Sequence, residues 1–158
     1  MASRLIKIPA AALSIALLTG LAVLIWRDVK SKRSPNQALF RHGSIPKPLP
    51  EGDYKGSVEG YSGDWIGKTF DAKNATGKNL LKSSQGVEQR YPFKTAVGRG
   101  LTDPINVVKI DYDIAGNPLW LRRVLDEIVE VGPHHYLGKI HLRLGPIHVT
   151  VGYFELRK

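Results

Sequence analysis

The chain has 158 residues, no cysteine and a formal charge of +9. The absence of thiols excludes disulfide frameworks, thiolate zinc sites, iron–sulfur clusters and cysteine nucleophiles. The charge divides unevenly: residues 1–33 carry +5 and the rest of the chain +4. The excess therefore flanks the first apolar run, where anionic headgroups attract Lys and Arg, and no nucleic-acid partner is expected.

Residues 1–7 form a basic tail with Arg4 and Lys7. From Ile8 to Trp26 run 19 uncharged residues, about 28 Å long as a helix and long enough for a bilayer's hydrocarbon core. Pro9 fits a first helical turn, and Trp26 suits the interface. The spacing predicts a single transmembrane helix over 8–26, with Ile8, Leu13, Leu17, Leu21, Leu24 and Trp26 as its lipid-facing anchor. A cleaved secretory signal is the rival; it needs a shorter apolar core and small residues at the exit, whereas Leu24-Ile25-Trp26-Arg27 stands there. Arg27, Lys30, Lys32 and Arg33 outnumber the tail's cations, which places the following domain on the cytoplasmic side by the positive-inside rule. An uncleaved signal anchor with the domain outside stays open.

Residues 27–52 hold Pro35, Pro46, Pro48 and Pro50 and read as a stiffened spacer, a segment docked along the domain being the alternative. Over 53–158 the apolar pattern has period two, the mark of strands with one wet face. Tyr54, Gly56 and Val58 alternate with Lys55, Ser57 and Glu59, and Val108, Ile110 and Tyr112 with Lys109, Asp111 and Asp113. Tyr136, Gly138, Ile140, Leu142 and Leu144 share a face opposite Lys139, His141 and Arg143, and Gly145-Pro146 turns the chain into a return strand. Trp120 to Val131 fits a helical turn followed by a strand. Segments near 53–61, 65–70, 90–97, 106–113, 124–131, 136–144 and 147–156 give seven strands in sequence-adjacent order. Closure removes their sticky edges, so the expected fold is mainly β: a small antiparallel, lipocalin-like β-barrel behind one N-terminal transmembrane helix.

Trp65-Ile66-Gly67-Lys68-Thr69-Phe70, Ile110-Asp111-Tyr112-Asp113, Asn117-Pro118, Arg122-Arg123-Val124-Leu125-Asp126-Glu127 and Tyr136-Leu137-Gly138-Lys139 together resemble a pattern in uncharacterised bacterial proteins. The resemblance spans nearly the whole domain and implies one intact unit, with no activity attached. Gly52-Asp53-Tyr54 is similar to the Gly-x-Trp opening of lipocalins, with Tyr in place of Trp; that resemblance implies a barrel with an apolar ligand cavity.

No catalytic residue, metal site or cofactor is called for. Asp126 and Glu127 are adjacent and must point to opposite faces of a strand, so one is either a buried functional acid or an ion-pair partner of Arg90, Lys68 or Arg123. His134 and His135 lack a neighbouring carboxylate or thiolate to complete a metal site. Asp111 and Asp113 read as a solvated face. Tyr54, Trp65, Phe70, Phe93, Tyr112, Asp126 and Tyr136 are the residues that would line a lumen, either filling it or holding one ligand. Two functions follow. The first is a non-catalytic, membrane-anchored accessory or scaffold subunit of a larger membrane protein complex, with the bilayer and a membrane protein as partners. The alternative is lipocalin-like binding of an apolar small molecule, a lipid, quinone or pigment. An isomerase or hydrolase using Asp126 or Glu127 ranks third.

Overall fold

A computed structural model describes the backbone from Ala10 to Lys158 and the side chains from Thr19 onward. Two helices, α1 (Ala10–Arg33) and α2 (Pro35–His42), precede eight strands: β1 (Gly52–Ser57), β2 (Trp65–Asp71), β3 (Thr76–Ser83), β4 (Gly86–Arg99), β5 (Asn106–Asp111), β6 (Val124–Gly132), β7 (His135–Leu144) and β8 (Ile147–Arg157). Each strand pairs antiparallel with the next, and β8 returns to β1 to close a barrel. Period-two patterning does this directly: one face of each strand supplies the lumen, and closure leaves no long edge bare.

Eight strands replace the expected seven. The additional one, β3, has Gly77 and Asn79 at inward positions, so its apolar alternation is broken. The first half of β4, Gly86 to Arg90, is exposed on both faces and carries no pattern at all. The expected helical turn before β6 is present as a 3-10 turn over Leu121–Arg123. Gly145, with φ +63°, makes the tight connection between β7 and β8 that Gly-Pro announces.

Within residues 27–52, the stretch up to His42 is helical and docked on the domain, the alternative to a free spacer. Residues 27–33 continue α1, and Ser34 caps α2 by accepting from the Asn36 amide at 3.2 Å, with Pro35 in the first turn where its missing N–H costs nothing. Both helices dock on the barrel's outer wall. Phe40 is fully buried against Val107, Val129, Leu137 and Tyr153, and Ser44 and Glu130 exchange backbone hydrogen bonds of 3.0 and 2.7 Å. Docking also corrects the expected wet face of β7: Lys139 and His141 are buried under the helices and the 100–105 loop.

Among the described residues, no helix is long and apolar enough to cross a membrane. Of the predicted anchor, Ile8 and the side chains of Leu13 and Leu17 lie outside the described residues. Leu21 and Trp26 are exposed on α1 and Leu24 is half-buried.

Candidate functional site

The lumen is the natural place to look for chemistry, and it is filled. Tyr54, Phe70, Phe93, Tyr112, Tyr136 and Phe154 belong to one buried cluster with Ile110, Ile128 and Leu156, and Trp65 packs against it. Their rings meet mostly edge to face, with centroids 5.4 to 5.8 Å apart for Tyr54–Phe70, Phe70–Phe93, Phe93–Tyr112 and Trp65–Phe154. Two glycines make this possible: a Cβ at Gly77 would occupy the Phe93 ring, and one at Gly138 the Phe154 ring. Trp65 sits at a register shift between Trp65 and Gly67, and its ring lies against Phe154.

At the centre of these rings lies a charge. Lys68 Nζ stands 3.1 Å from Asp126 Oδ2, and both side chains are about 95% buried or more. The ammonium also donates to Asn79 Oδ1 at 3.0 Å and to the Tyr112 hydroxyl. Four rings, those of Trp65, Phe93, Tyr112 and Phe154, surround it at 5.0 to 5.4 Å. Asn79 Oδ1 further accepts from Trp65 Nε1 at 2.9 Å, and Tyr112 Oη lies 3.2 Å from Asp126 Oδ2. Among the described residues Asp126 Oδ1 has no hydrogen-bond partner.

Burial pushes the Lys68 ammonium below the usual lysine range, with the Asp126 charge working the other way. Burial and the same carboxylate push the Tyr112 phenol well up. An amine of lowered pKa beside a hydroxyl and a carboxylate has the ingredients of a carbonyl-reactive lysine. The rings deny it a substrate: Lys68 is 3% exposed and every side around it is packed. The arrangement ties β2, β3 and β6 together, which is the ion-pair reading of Asp126.

Glu127, on the opposite face, has a different environment. Glu127 Oε1 accepts from the Leu101 amide at 2.7 Å, and Oε2 lies 3.2 Å from His141 Nε2. His141 Nδ1 is 3.3 Å from the Thr150 hydroxyl, and the Thr150 amide donates to Asp28 of α1 at 3.1 Å. Carboxylate, imidazole and hydroxyl stand in the order of a nucleophile relay, yet all three are at most 2% exposed. Beside them, Asp103 accepts from Gln37 at 2.7 Å, from Arg41 at 2.8 Å and from Lys139. Burial works to raise the Asp103 pKa and is outweighed by these hydrogen bonds and the Lys139 charge, which bring it down to about 2. Tyr153 Oη donates within this group, 2.6 Å from Gln37 Oε1 and 3.2 Å from Ser31 O. These contacts are a latch between helices and barrel.

The remaining candidates resolve into ion pairs, a hydrogen bond and a turn residue. Arg143 holds Asp111 with two hydrogen bonds of 3.0 and 2.6 Å, and Arg122 holds Asp113 at 2.7 Å. His135 pairs with Glu155 at 3.0 Å, and His134 occupies the turn before β7 with φ +52°. No group of three or more His, Asp or Glu among the described residues is placed to hold a metal.

Surface hollows stand outside the lumen. One, about 850 Å³, has Tyr54 and Tyr136, whose hydroxyls are 3.3 Å apart, among its lining residues, with Lys47, Glu51, Glu130 and His134. Another, about 770 Å³, lies between α1, the end of β1 and β8.

No protein-family model matches the chain, and no curated protein matches it. Among solved structures, the chain is similar to a protein from Thermomonospora curvata known from its crystal structure, with a TM-score of 0.57 and 16% identity over 89% of this chain and 97% of that one. The likeness is one of fold. It attaches no activity to either network.

Proposed function

We propose that the chain is a non-catalytic, membrane-tethered accessory or scaffold module, held to a bilayer by the segment 8–26 and presenting its barrel to a larger membrane protein. One observation carries this reading. Leu21, Val23, Ile25 and Trp26 are 52, 47, 56 and 59% exposed, and at 3.6 residues per turn they point to different sides of α1. A helix apolar on every side needs an apolar phase around it, either protein or lipid. Arg27, Lys30, Lys32 and Arg33 then follow at the level where headgroups would lie, and they favour the cytoplasmic side.

The barrel supports a scaffold over a carrier. Lipocalins share the eight-stranded closure but keep a cavity, whereas here aromatic rings and the Lys68–Asp126 pair take that space. Binding of a lipid, quinone or pigment inside the lumen would require ejecting rings that pack against one another.

The test is a membrane fractionation followed by native electrophoresis in mild detergent. The chain is expected to resist carbonate extraction and to migrate with a larger assembly. Release by carbonate, or migration as a monomer alone, contradicts the reading.

A further inference from the structure

The barrel closes unevenly. β8 pairs with β7 through ten residue pairs but with β1 through three, Lys55–Arg157, Gly56–Leu156 and Ser57–Glu155. Past Ser57, β8 has α1 beside its free edge instead of a strand, tied by Arg27 Nη1 to Val151 O at 3.3 Å and by the Thr150 amide to Asp28. The 770 Å³ hollow sits in this seam, and its volume falls in the roughly 300–1,000 Å³ span of small-molecule sites.

Its lining draws on both faces of the wall. Val58, Ile140 and Phe154 come from the lumen cluster, and Leu137 and Tyr153 from the outer one. Gly152 lines it too, and a Cβ built there meets no atom within 4 Å. The rim is basic. Arg27 and Lys30 line it without a carboxylate partner among the described residues, Lys30 lying 5.1 Å over the Trp26 ring. Of the two acids present, Glu155 is held by Arg157 and His135, which leaves Glu59 against two cations.

We propose that this seam binds one phospholipid of the bilayer, its acyl chain lying on the half-buried Val58, Ile140 and Val151 and its anionic headgroup held by Arg27 and Lys30. Charge and place favour it: two cations without a carboxylate partner among the described residues rim a slot of mixed lining, where Ser31, Ser34, Asn36 and Ser57 stand beside the apolar side chains, at the foot of the helix that, on the reading above, enters the membrane. The inference rests on that reading. The bound lipid fills the gap between α1 and the end of β1 and fixes the angle between anchor and barrel.

The full-length chain is reconstituted in phosphatidylcholine vesicles containing a minor fraction of phosphatidylglycerol with a diazirine at the end of one acyl chain. Irradiation is expected to label peptides containing Val58, Ile140 or Val151. Gly152→Leu, which fills the slot, should abolish that label while carbonate-resistant membrane retention is unchanged. Because Gly152 lies in the barrel wall, the exposed pair Arg27→Gln and Lys30→Gln supplies a second arm, expected to lower labelling roughly fivefold for each cation removed. Label confined to α1, label indifferent to both sets of variants, or displacement by inorganic phosphate alone would overturn the lipid site and leave the anchor standing. Recovery of the unmodified chain in the carbonate supernatant would overturn the anchor, and the lipid site with it.

Discussion

Asp126 and Glu127 are neighbours in sequence, and β6 sends them to opposite sides of the barrel wall, where they meet opposite treatment. Asp126 faces inward, pairs with one lysine inside a box of rings, and keeps one oxygen without a hydrogen-bond partner among the described residues. Glu127 faces outward and has both oxygens occupied, by a backbone amide and by His141. The inner network holds strands to strands; the outer one holds helices to strands. A buried charge in this protein therefore does two jobs according to the face of one strand, and neither job exposes it to a substrate.

The largest effect should come from breaking the inner pair one side at a time. Lys68→Met strands the Asp126 carboxylate among rings and is expected to cost about 3–5 kcal/mol in chemical denaturation, while Lys68→Met with Asp126→Leu should recover most of that loss. A double variant no more stable than the single one would mean that the pair is not the reason for the cost. On the outer face, Phe40→Ala removes a fully buried ring from under α2 and should cost about 3 kcal/mol. Its signature differs from that of Lys68: limited proteolysis should cut the 34–44 segment while β2 and β6 stay protected, and cutting spread evenly over the barrel would deny a separable latch.

The acid response sharpens the contrast. Asp103 titrates at about 2 in the folded chain against an ordinary 3.8. Its contribution, about 2 kcal/mol, is complete above about pH 4 and disappears as the pH falls through 2. Denaturation midpoints measured from pH 5 to pH 2 should fall accordingly and flatten in Asp103→Asn. An unchanged slope in that variant would assign the acid response to other carboxylates. The smallest effect belongs to the partly exposed Arg143–Asp111 pair: Arg143→Ala should cost no more than about 1 kcal/mol, and less in high salt.

The same contrast decides what was legible in the sequence. The lumen was, because rings at inward positions keep period two: Tyr54, Phe70, Phe93, Tyr112 and Tyr136 all lie in one cluster. Lys68 was partly legible, since it is two residues before Phe70 and shares its face, and it stood among the expected partners of Asp126. Asn79 was not, since an amide between glycine and leucine gives no periodic signal. The outer latch was invisible for a different reason. Lys139 and His141 sit where alternation predicts water, and the docking of α1 and α2 from about 100 residues away, together with the 100–105 loop, buries them. Ser34-Pro35 did carry a helix-start signal, masked by the prolines that follow α2.

On the proposed reading, α1 stands in lipid as far as Trp26 while the barrel stands in water. Nitroxide labels placed singly at Leu21, Ile25 and Leu119 of the vesicle-reconstituted chain test this directly, by their collision rates with oxygen and with a water-soluble nickel complex. Leu21 and Ile25 should collide with oxygen far more than with nickel, and Leu119, 77% exposed on the barrel side, should show the reverse. Equal access of nickel to all three positions would contradict a membrane-tethered barrel.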